Sequence, residues 1–253
     1  MNGTAYYYTG SANIEFILTR GQAQDYPWHI HTRHWTAGVV RSGTVTLTTD
    51  AGIQRLRGGQ RFFIHPYEPH SLNVTPESSL LVLCVDSIDA FSTDHGVLQE
   101  FLRHIPLFQG QEKPLAQSFT QACTENAFPD VHAYQNAWTP PDALISRSVQ
   151  AVMLLLKDDP NTFSSIEQMA VYAGYSQWHF LRAFQKSTGM TPHAFQLLCR
   201  LRLLRDLLRT DTANATAAAS AGFSDQSHMH KVFKRHHGMT PGQFKQSSFR
   251  LEL

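Results

Sequence analysis

The stretch that decides the fold is Ser165-Ile-Glu-Gln-Met-Ala-Val-Tyr-Ala-Gly174-Tyr-Ser176-Gln-Trp-His-Phe-Leu-Arg-Ala-Phe-Gln-Lys-Ser-Thr-Gly189-Met190. Ser165 followed by Gln168 has the spacing of a capping box, so a helix starts here. Ile166, Met169, Ala170 and Ala173 recur at helical intervals and give that helix one apolar face. Gly174 suits the stop, where positive φ is wanted. Ser176 suits the N-cap of a second helix. Phe180, Ala183 and Phe184 form that helix's inner face, and Gly189 ends it. Two short helices around a tight turn are the layout of a helix-turn-helix.

The outer face of the second helix carries Gln177, Trp178, Leu181, Arg182, Gln185 and Lys186. A merely solvated face has no use for a Trp. A helix in a DNA major groove does: Arg suits guanine edges, Gln suits adenine, and apolar groups suit thymine methyls.

The pattern returns about 48 residues later. Gly222-Phe-Ser224 repeats Gly174-Tyr-Ser176, Val232-Phe-Lys234 repeats Ala183-Phe-Gln185, and Gly238-Met-Thr-Pro241 repeats Gly189-Met-Thr-Pro192. A repeated helix-turn-helix is far more specific than one copy. Residues from about 140 to 250 resemble the DNA-binding region of the AraC/XylS family of bacterial transcription regulators. That family joins two such units by a long helix, here Thr191 to Leu208 with Pro192 in its first turn. Arg200-Leu201 and Leu207-Leu208 match its signature. The family's bulky aliphatic pair at the start of the second unit is replaced by Ala215-Thr-Ala-Ala-Ala219. Each such Ile-to-Ala exchange costs roughly 2 kcal/mol or more. Leu204, where the family has a small residue, is expected to refill part of that volume. Met229 stands where the family commonly has Phe.

Charge agrees with this reading. Residues 1–160 carry a net −5 and residues 161–253 a net +6, hidden in an overall +1. A basic C-terminal part on an acidic body points to a polyanion as its partner. No run approaches the about eighteen apolar residues of a membrane span. The start, Met-Asn-Gly-Thr-Ala-Tyr-Tyr-Tyr8, lacks the pattern of a signal peptide. Cys84, Cys123 and Cys199 suggest neither a disulfide framework nor a Cys-metal cluster, which fits a reducing cytoplasm.

Residues 1–88 read as β. Thr36–Arg41, Gly43–Thr48, Arg61–His65 and Leu80–Val85 are short β-rich runs between turn signals, the pattern of a sandwich or barrel. Pro27-Trp-His-Ile-His31 with Gly43, and Gly59-Gln-Arg-Phe-Phe-Ile-His-Pro-Tyr-Glu-Pro-His70, resemble the two motifs of a cupin barrel. That barrel is the usual sensor half of this family.

Strand alternation puts His29 and His31 on one side. The resemblance brings His70 in from a second strand. Three converging imidazoles would bind a divalent metal such as Zn, Ni or Fe. The Glu expected after His31 is replaced by Trp35 and Thr36; His34 and His65 are the possible substitutes. The reading prefers an organic-effector pocket, with Trp28, His29, His31, Trp35, Phe62, Tyr67 and His70 as lining, and no required cofactor. The rival reading is a metal-dependent cupin oxygenase or isomerase. The missing Glu and the fused DNA-binding half argue against an enzyme.

Val97, Leu98, Phe101, Leu102 and Ile105, then Leu115, Phe119 and Ala122, form helical stripes. The resemblance implies that this connector pairs two subunits. Thr139-Pro-Pro-Asp142 is the best boundary. The expected layout is therefore α+β and multidomain. It comprises a cupin-like β-barrel (1–88), a helical connector (89–139) and an all-α double helix-turn-helix domain (140–253). That domain opens with a helix carrying Ile145, Val149, Val152, Met153 and Leu156. The resemblance implies a cytoplasmic homodimer that binds double-stranded DNA and a small-molecule effector, an activator with RNA polymerase as a further partner. Carried over by position, the base readers are Trp178, Leu181 and Arg182, then Gln226, Ser227, His230 and Lys231. Lys186 and Lys234 contact phosphates.

Overall fold

The structure, a computed structural model, describes residues 3–9, 14–31, 34–66, 68–85, 114, 146–210 and 212–251. The connector stripes, the break at Thr139, and Tyr67 lie outside these residues. The chain divides into two compact units. One is Met1–Val131 with Gly242–Leu253, and the other is His132–Pro241.

The first unit is built on β1 (Gly3–Thr9), β2 (Ile14–Arg20), β3 (Gln24–His29), β4 (Trp35–Ser42), β5 (Thr44–Thr49), β6 (Gly52–Arg57), β7 (Arg61–Ile64), β8 (His70–Val74) and β9 (Ser79–Val85). These form a sheet in the order β1-β2-β9-β4-β7 and a second in the order β3-β8-β5-β6. Val40, Phe62, Ile64, Leu80, Val82 and Cys84 of the first sheet share one core with Val45, Leu47, Leu56, Leu72 and Val74 of the second. The result is the expected cupin-like barrel.

Two glycines hold its walls close. Gly38 leaves room for the Phe62 ring, which a Cβ would meet at 2.0 Å. Gly43 turns β4 into β5 at φ +74°, with Ser78 where a Cβ would point. The Ser78 hydroxyl accepts from the Thr44 amide at 2.9 Å.

The second unit is helical: α1 (Arg147–Asp158), α2 (Ile166–Tyr172), α3 (Gln177–Thr188), α4 (Pro192–Leu208), α5 (Asn214–Ser220) and α6 (Gln226–His237). Ser146 caps α1, whose Val149, Val152, Met153 and Leu156 are buried as the stripe requires. Thr191 caps α4, with Pro192 at its start. Phe195, Cys199, Leu204 and Leu208 on α4 are fully buried, so Leu204 is core. Gln196, also buried, donates from its amide to the carbonyls of Pro160 (2.9 Å) and Phe163 (2.8 Å), fixing the α1–α2 loop to α4.

Past Pro241 the chain forms α7 (Pro241–Gln246) and β10 (Ser248–Leu251), and β10 pairs in parallel with β1. Gly242–Leu253 fall in the first of the two units.

Candidate functional site

Both helix-turn-helix units form. In the first, Ser165 accepts the Gln168 amide at 3.2 Å. The reciprocal bond closes one residue earlier than a standard box, from the Ser164 amide to Gln168 Oε1 at 2.9 Å. Gly174 takes φ +71°. Ser176 caps α3, and Gly189 ends it in the left-handed region. Phe180 and Phe184 are fully buried and lie edge to face at 5.6 Å; Phe184 meets Phe195 of α4 at 5.5 Å.

The opposite face of α3 is wet. Gln177, Trp178, Arg182, Gln185 and Lys186 are exposed, while Leu181 is half-buried and less available than expected. Trp178, 67% exposed, is partly covered by the Arg182 guanidinium, 4.5 Å from the ring centroid. A cation over an indole is held by the ring quadrupole. The pair therefore restrains Arg182, and a groove beside α3 runs past Ser146, Tyr175, Trp178, Arg182 and Lys186.

The second unit departs in its turn. The repeat spacing slips from 48 residues (Gly174 to Gly222) to 49 (Gly189 to Gly238). The extra residue is Asp225, which caps α6. Its carboxylate accepts the His228 amide at 2.8 Å and the Ser224 hydroxyl at 3.1 Å. Those bonds, the backbone amide first, hold its pKa below the usual Asp value. On α6, Gln226, Ser227, Lys231 and Lys234 are exposed and His230 is half-buried. Met229 and Phe233 fill the core. The alanine-rich α5 begins at Ala213 without a side-chain cap. Asn161 ties α5 in place by donating to the Ser220 carbonyl at 2.9 Å. Sequence reasoning passed over Asn161, Gln196 and Asp225. Only the last had a signal, the slip in repeat spacing.

In the barrel, His29 of β3 faces His70 of β8 across the ladder, where a register shift follows Tyr26. His31 lies past the end of β3, so simple alternation is not what joins it to His29. Ring centroids are 4.3 Å apart for His29–His70, 5.0 Å for His29–His31 and 4.9 Å for His31–His70. One nitrogen from each ring lies within 4.8 Å of the others. Nδ1 of His29 sits 2.7 Å from the Pro27 carbonyl, and Nδ1 of His70 sits 2.8 Å from the Glu68 carbonyl. A carbonyl oxygen accepts only, so both Nδ1 atoms carry hydrogen and Nε2 carries the lone pair. His70 is 2% exposed, and burial holds its pKa below the ordinary His value against the opposing Glu68 carbonyl.

The remaining predicted lining divides. Phe62 belongs to the barrel core. Trp35 stacks on Phe63 at 5.7 Å and meets His65 edge-on at 5.2 Å. Its register partner is Val85, whereas Thr36 pairs with the core residue Cys84. Trp35 and His65 thus face away from the core that holds Phe62. This removes Trp35 from the pocket lining and His65 as a fourth ligand. His34, 5.4 Å from His31 by ring centroid, stays close. Trp28, 42% exposed, is at the surface.

The fold and both sites define a sensor barrel fused to a paired helix-turn-helix. Residues 169–247 match the family described as "Helix-turn-helix domain", and residues 11–127 match "AraC-like ligand binding domain". The chain belongs to the AraC family of transcription regulators: it binds DNA and responds to a small molecule. An HTH-type transcriptional regulator of Haemophilus influenzae is 24% identical over 87% of this chain and 90% of its own. YbfI of Bacillus subtilis, also an HTH-type regulator, is 24% identical over 86% of each chain. ToxT of Vibrio cholerae shares the fold, with TM-score 0.58, 11% identity, and coverage of 93% of this chain and 98% of that one. A ToxT structure described as unsaturated fatty acid bound gives TM-score 0.52 at 12% identity over 91% and 94%. Among the described residues no helix is long and apolar enough to cross a membrane.

Proposed function

We propose that the effector site of this regulator is the histidine cluster and that it takes a divalent transition metal, Zn, Ni or Fe, on His29, His31 and His70. The observation that carries this is the shared approach of three ring nitrogens with two Nδ1 atoms set against backbone carbonyls. Such outer bonds fix the tautomer and ring direction of metal-binding histidines. Tetrahedral bonds of 2.0–2.1 Å would put ligand nitrogens about 3.4 Å apart. A modest swing of His31, outside the strands, closes the difference. Three histidines leave a position for water, His34 or an atom of an organic effector.

Full-length protein purified without a histidine tag should carry about one metal per chain. His31→Ala and His70→Ala should each remove it. Metal at about a hundred times its dissociation constant should add about 2.7 kcal/mol of stability. A protonated ring nitrogen cannot coordinate, so acid should strip the metal. Burial lowers the folded pKa of His70 below its unfolded value. Its neutral form therefore favours folding above about pH 6.5, and that contribution is lost as pH falls through the lower folded value. Protein grown with all three metals that remains metal-free, and whose melting ignores chelator, would overturn the metal reading. An organic effector in the same barrel would then stand; its support is the ligand-binding family and the fatty-acid-bound ToxT.

Trp178, Arg182 and Gln185 on α3, and Gln226, Ser227, His230 and Lys231 on α6, read bases, with Leu181 in a lesser part. Lys186 and Lys234 hold phosphates. Arg182→Ala should cost about 1–3 kcal/mol on the preferred duplex and relax base choice at one position, whereas Lys234→Ala should weaken all duplexes alike. Uniform losses from both, measured over a panel of duplexes, would remove Arg182 from direct reading. The proposal also includes a cytoplasmic homodimer that is not an enzyme and that contacts RNA polymerase as an activator, as its family implies.

A further inference from the structure

Two reading helices engage one duplex together only when their spacing matches it. One base pair more between two half-sites moves the second by about 3.4 Å and turns it by about 35°. Inside the helical unit, α4 is one link between α3 and α6. It is 17 residues long, sets Phe195 against Phe184 of α3, and buries Leu204 and Leu208 toward its other end. A helix fixes a distance better than an angle. It ends at Leu208, α5 starts at Asn214, and the Ala217 and Ala218 side chains that α5 buries have little bulk to lock a direction.

A second link is polar. Asn161, in the loop between α1 and α2, sits on a fixed mount. Its backbone amide donates to the Asp159 carboxylate at 2.8 Å, and the flanking carbonyls of Pro160 and Phe163 both accept from Gln196 of α4. Phe163 in turn meets Tyr172 of α2 edge-on at 5.6 Å. From this mount the Asn161 side chain donates to the carbonyl of Ser220, the last residue of α5, at 2.9 Å. The last carbonyls of a helix have no partner within it, so this bond caps α5 from outside.

The turn into α6 closes on the same point. Gly222 takes φ +81°, and a Cβ there would sit 1.9 Å from Asn161 Oδ1 and 2.9 Å from Arg200 Nε of α4. The α1–α2 loop, α4 and the α5–α6 turn therefore meet at Gly222. Asn161 is exposed, so its bond adds little to stability, and its removal leaves no buried group unpaired.

We propose, on the reading of α3 and α6 as the helices that meet DNA, that Asn161 is a positioning residue: its bond to Ser220 sets the spacing of the two helices and so the separation of half-sites that the protein accepts. With the bond in place α5 is held at its C-terminal end, next to the turn that launches α6. Without it α6 is carried by α4 and the alanine contacts, and adapts to several separations. Asn161 acts through α6 rather than by touching a base.

The test uses the full chain and a duplex selected from a random pool with the wild-type protein, its two half-sites located by footprinting. Their separation is then changed by one and two base pairs in each direction, and the affinity for every duplex is measured beside the melting point. The wild type should prefer the selected separation. Asn161→Ala should cut that preference by about fivefold, the weight of one hydrogen bond, while melting like the wild type. Asn161→Asp keeps an oxygen toward Gly222 but has no N–H for the Ser220 carbonyl, and should relax the preference as far. A preference unchanged in either variant, or affinity lost equally at every separation, would overturn the positioning role. So would a wild type that binds all separations alike. A wild type that selects no duplex at all would instead strike at the reading of α3 and α6, and the positioning role would fall with it.

Discussion

Raising salt from 50 to 200 mM should weaken binding of the full chain to its duplex by about 40-fold. The expectation rests on the three exposed cations of the reading helices that are not assigned to bases: Lys186 on α3, and Lys234 and Arg235 on α6. Each cation at a phosphate displaces counterion, giving a log–log slope of about −0.9 per contact. Three contacts give about −2.7, and a fourfold rise in salt then yields the stated loss. The acidic N-terminal part, net −5 over residues 1–160, contributes no attraction of its own. Fluorescence anisotropy over a salt series measures the slope. A slope near zero would mean that the basic faces do not meet the backbone, and the docking of both units would be wrong. A slope about half as steep would point to one unit on the DNA.

The helical unit was legible because its signals are local. Ser165, Gly174, Ser176, Gly189 and Pro192 each announce a cap, stop or start within four residues, and the repeat confirms them. The histidine cluster was legible as a set of residues but not as a geometry. Alternation paired His29 with His31, whereas the structure ends β3 at His29 and joins the rings through the loop beyond. The faces of β4 were illegible for a physical reason. Trp35 to Val40 are buried without a break, so the period-two pattern that separates inside from outside is absent. Strands buried on both faces read as continuous apolar runs. Trp35 and Phe62 therefore looked like neighbours and are not. The strand β10 was illegible for another reason. Ser-Phe-Arg-Leu carries no turn or period, and its partner β1 lies at the far end of the chain.

The two reading units are unequal, and the inequality was half visible. The alanines at 215 and 217–219 announced a thin second unit, and Ala217 and Ala218 are indeed buried without bulk. The compensation came from polar bonds that no hydrophobic pattern reports. Asn161 holds the Ser220 carbonyl, and Gly222 passes so close that a Cβ would sit 1.9 Å from the Asn161 side-chain oxygen. The exposed faces differ as well: α3 presents the Trp178–Arg182 pair, whereas α6 presents the Lys231, Lys234 and Arg235 cations.

Phe184→Ala should weaken DNA binding by destabilising the helical unit while leaving in place the metal proposed for the barrel. Phe184 has no exposed surface and meets Phe180 on its own helix and Phe195 on α4. Truncating a buried Phe costs about 3–5 kcal/mol, through lost transfer energy and the cavity left behind. Domains are stable by about 5–15 kcal/mol in total. For a unit of this size that loss corresponds to a melting point lower by about 12 °C or more. Lys186→Ala, exposed two residues away, is the control. It should change stability by less than about 0.5 kcal/mol yet still weaken DNA binding through the lost phosphate contact. Calorimetry with metal analysis on the same samples separates the cases. Should Phe184→Ala melt like the wild type, α3 would not be anchored through Phe184, and the packing that presents Trp178 and Arg182 would need another explanation.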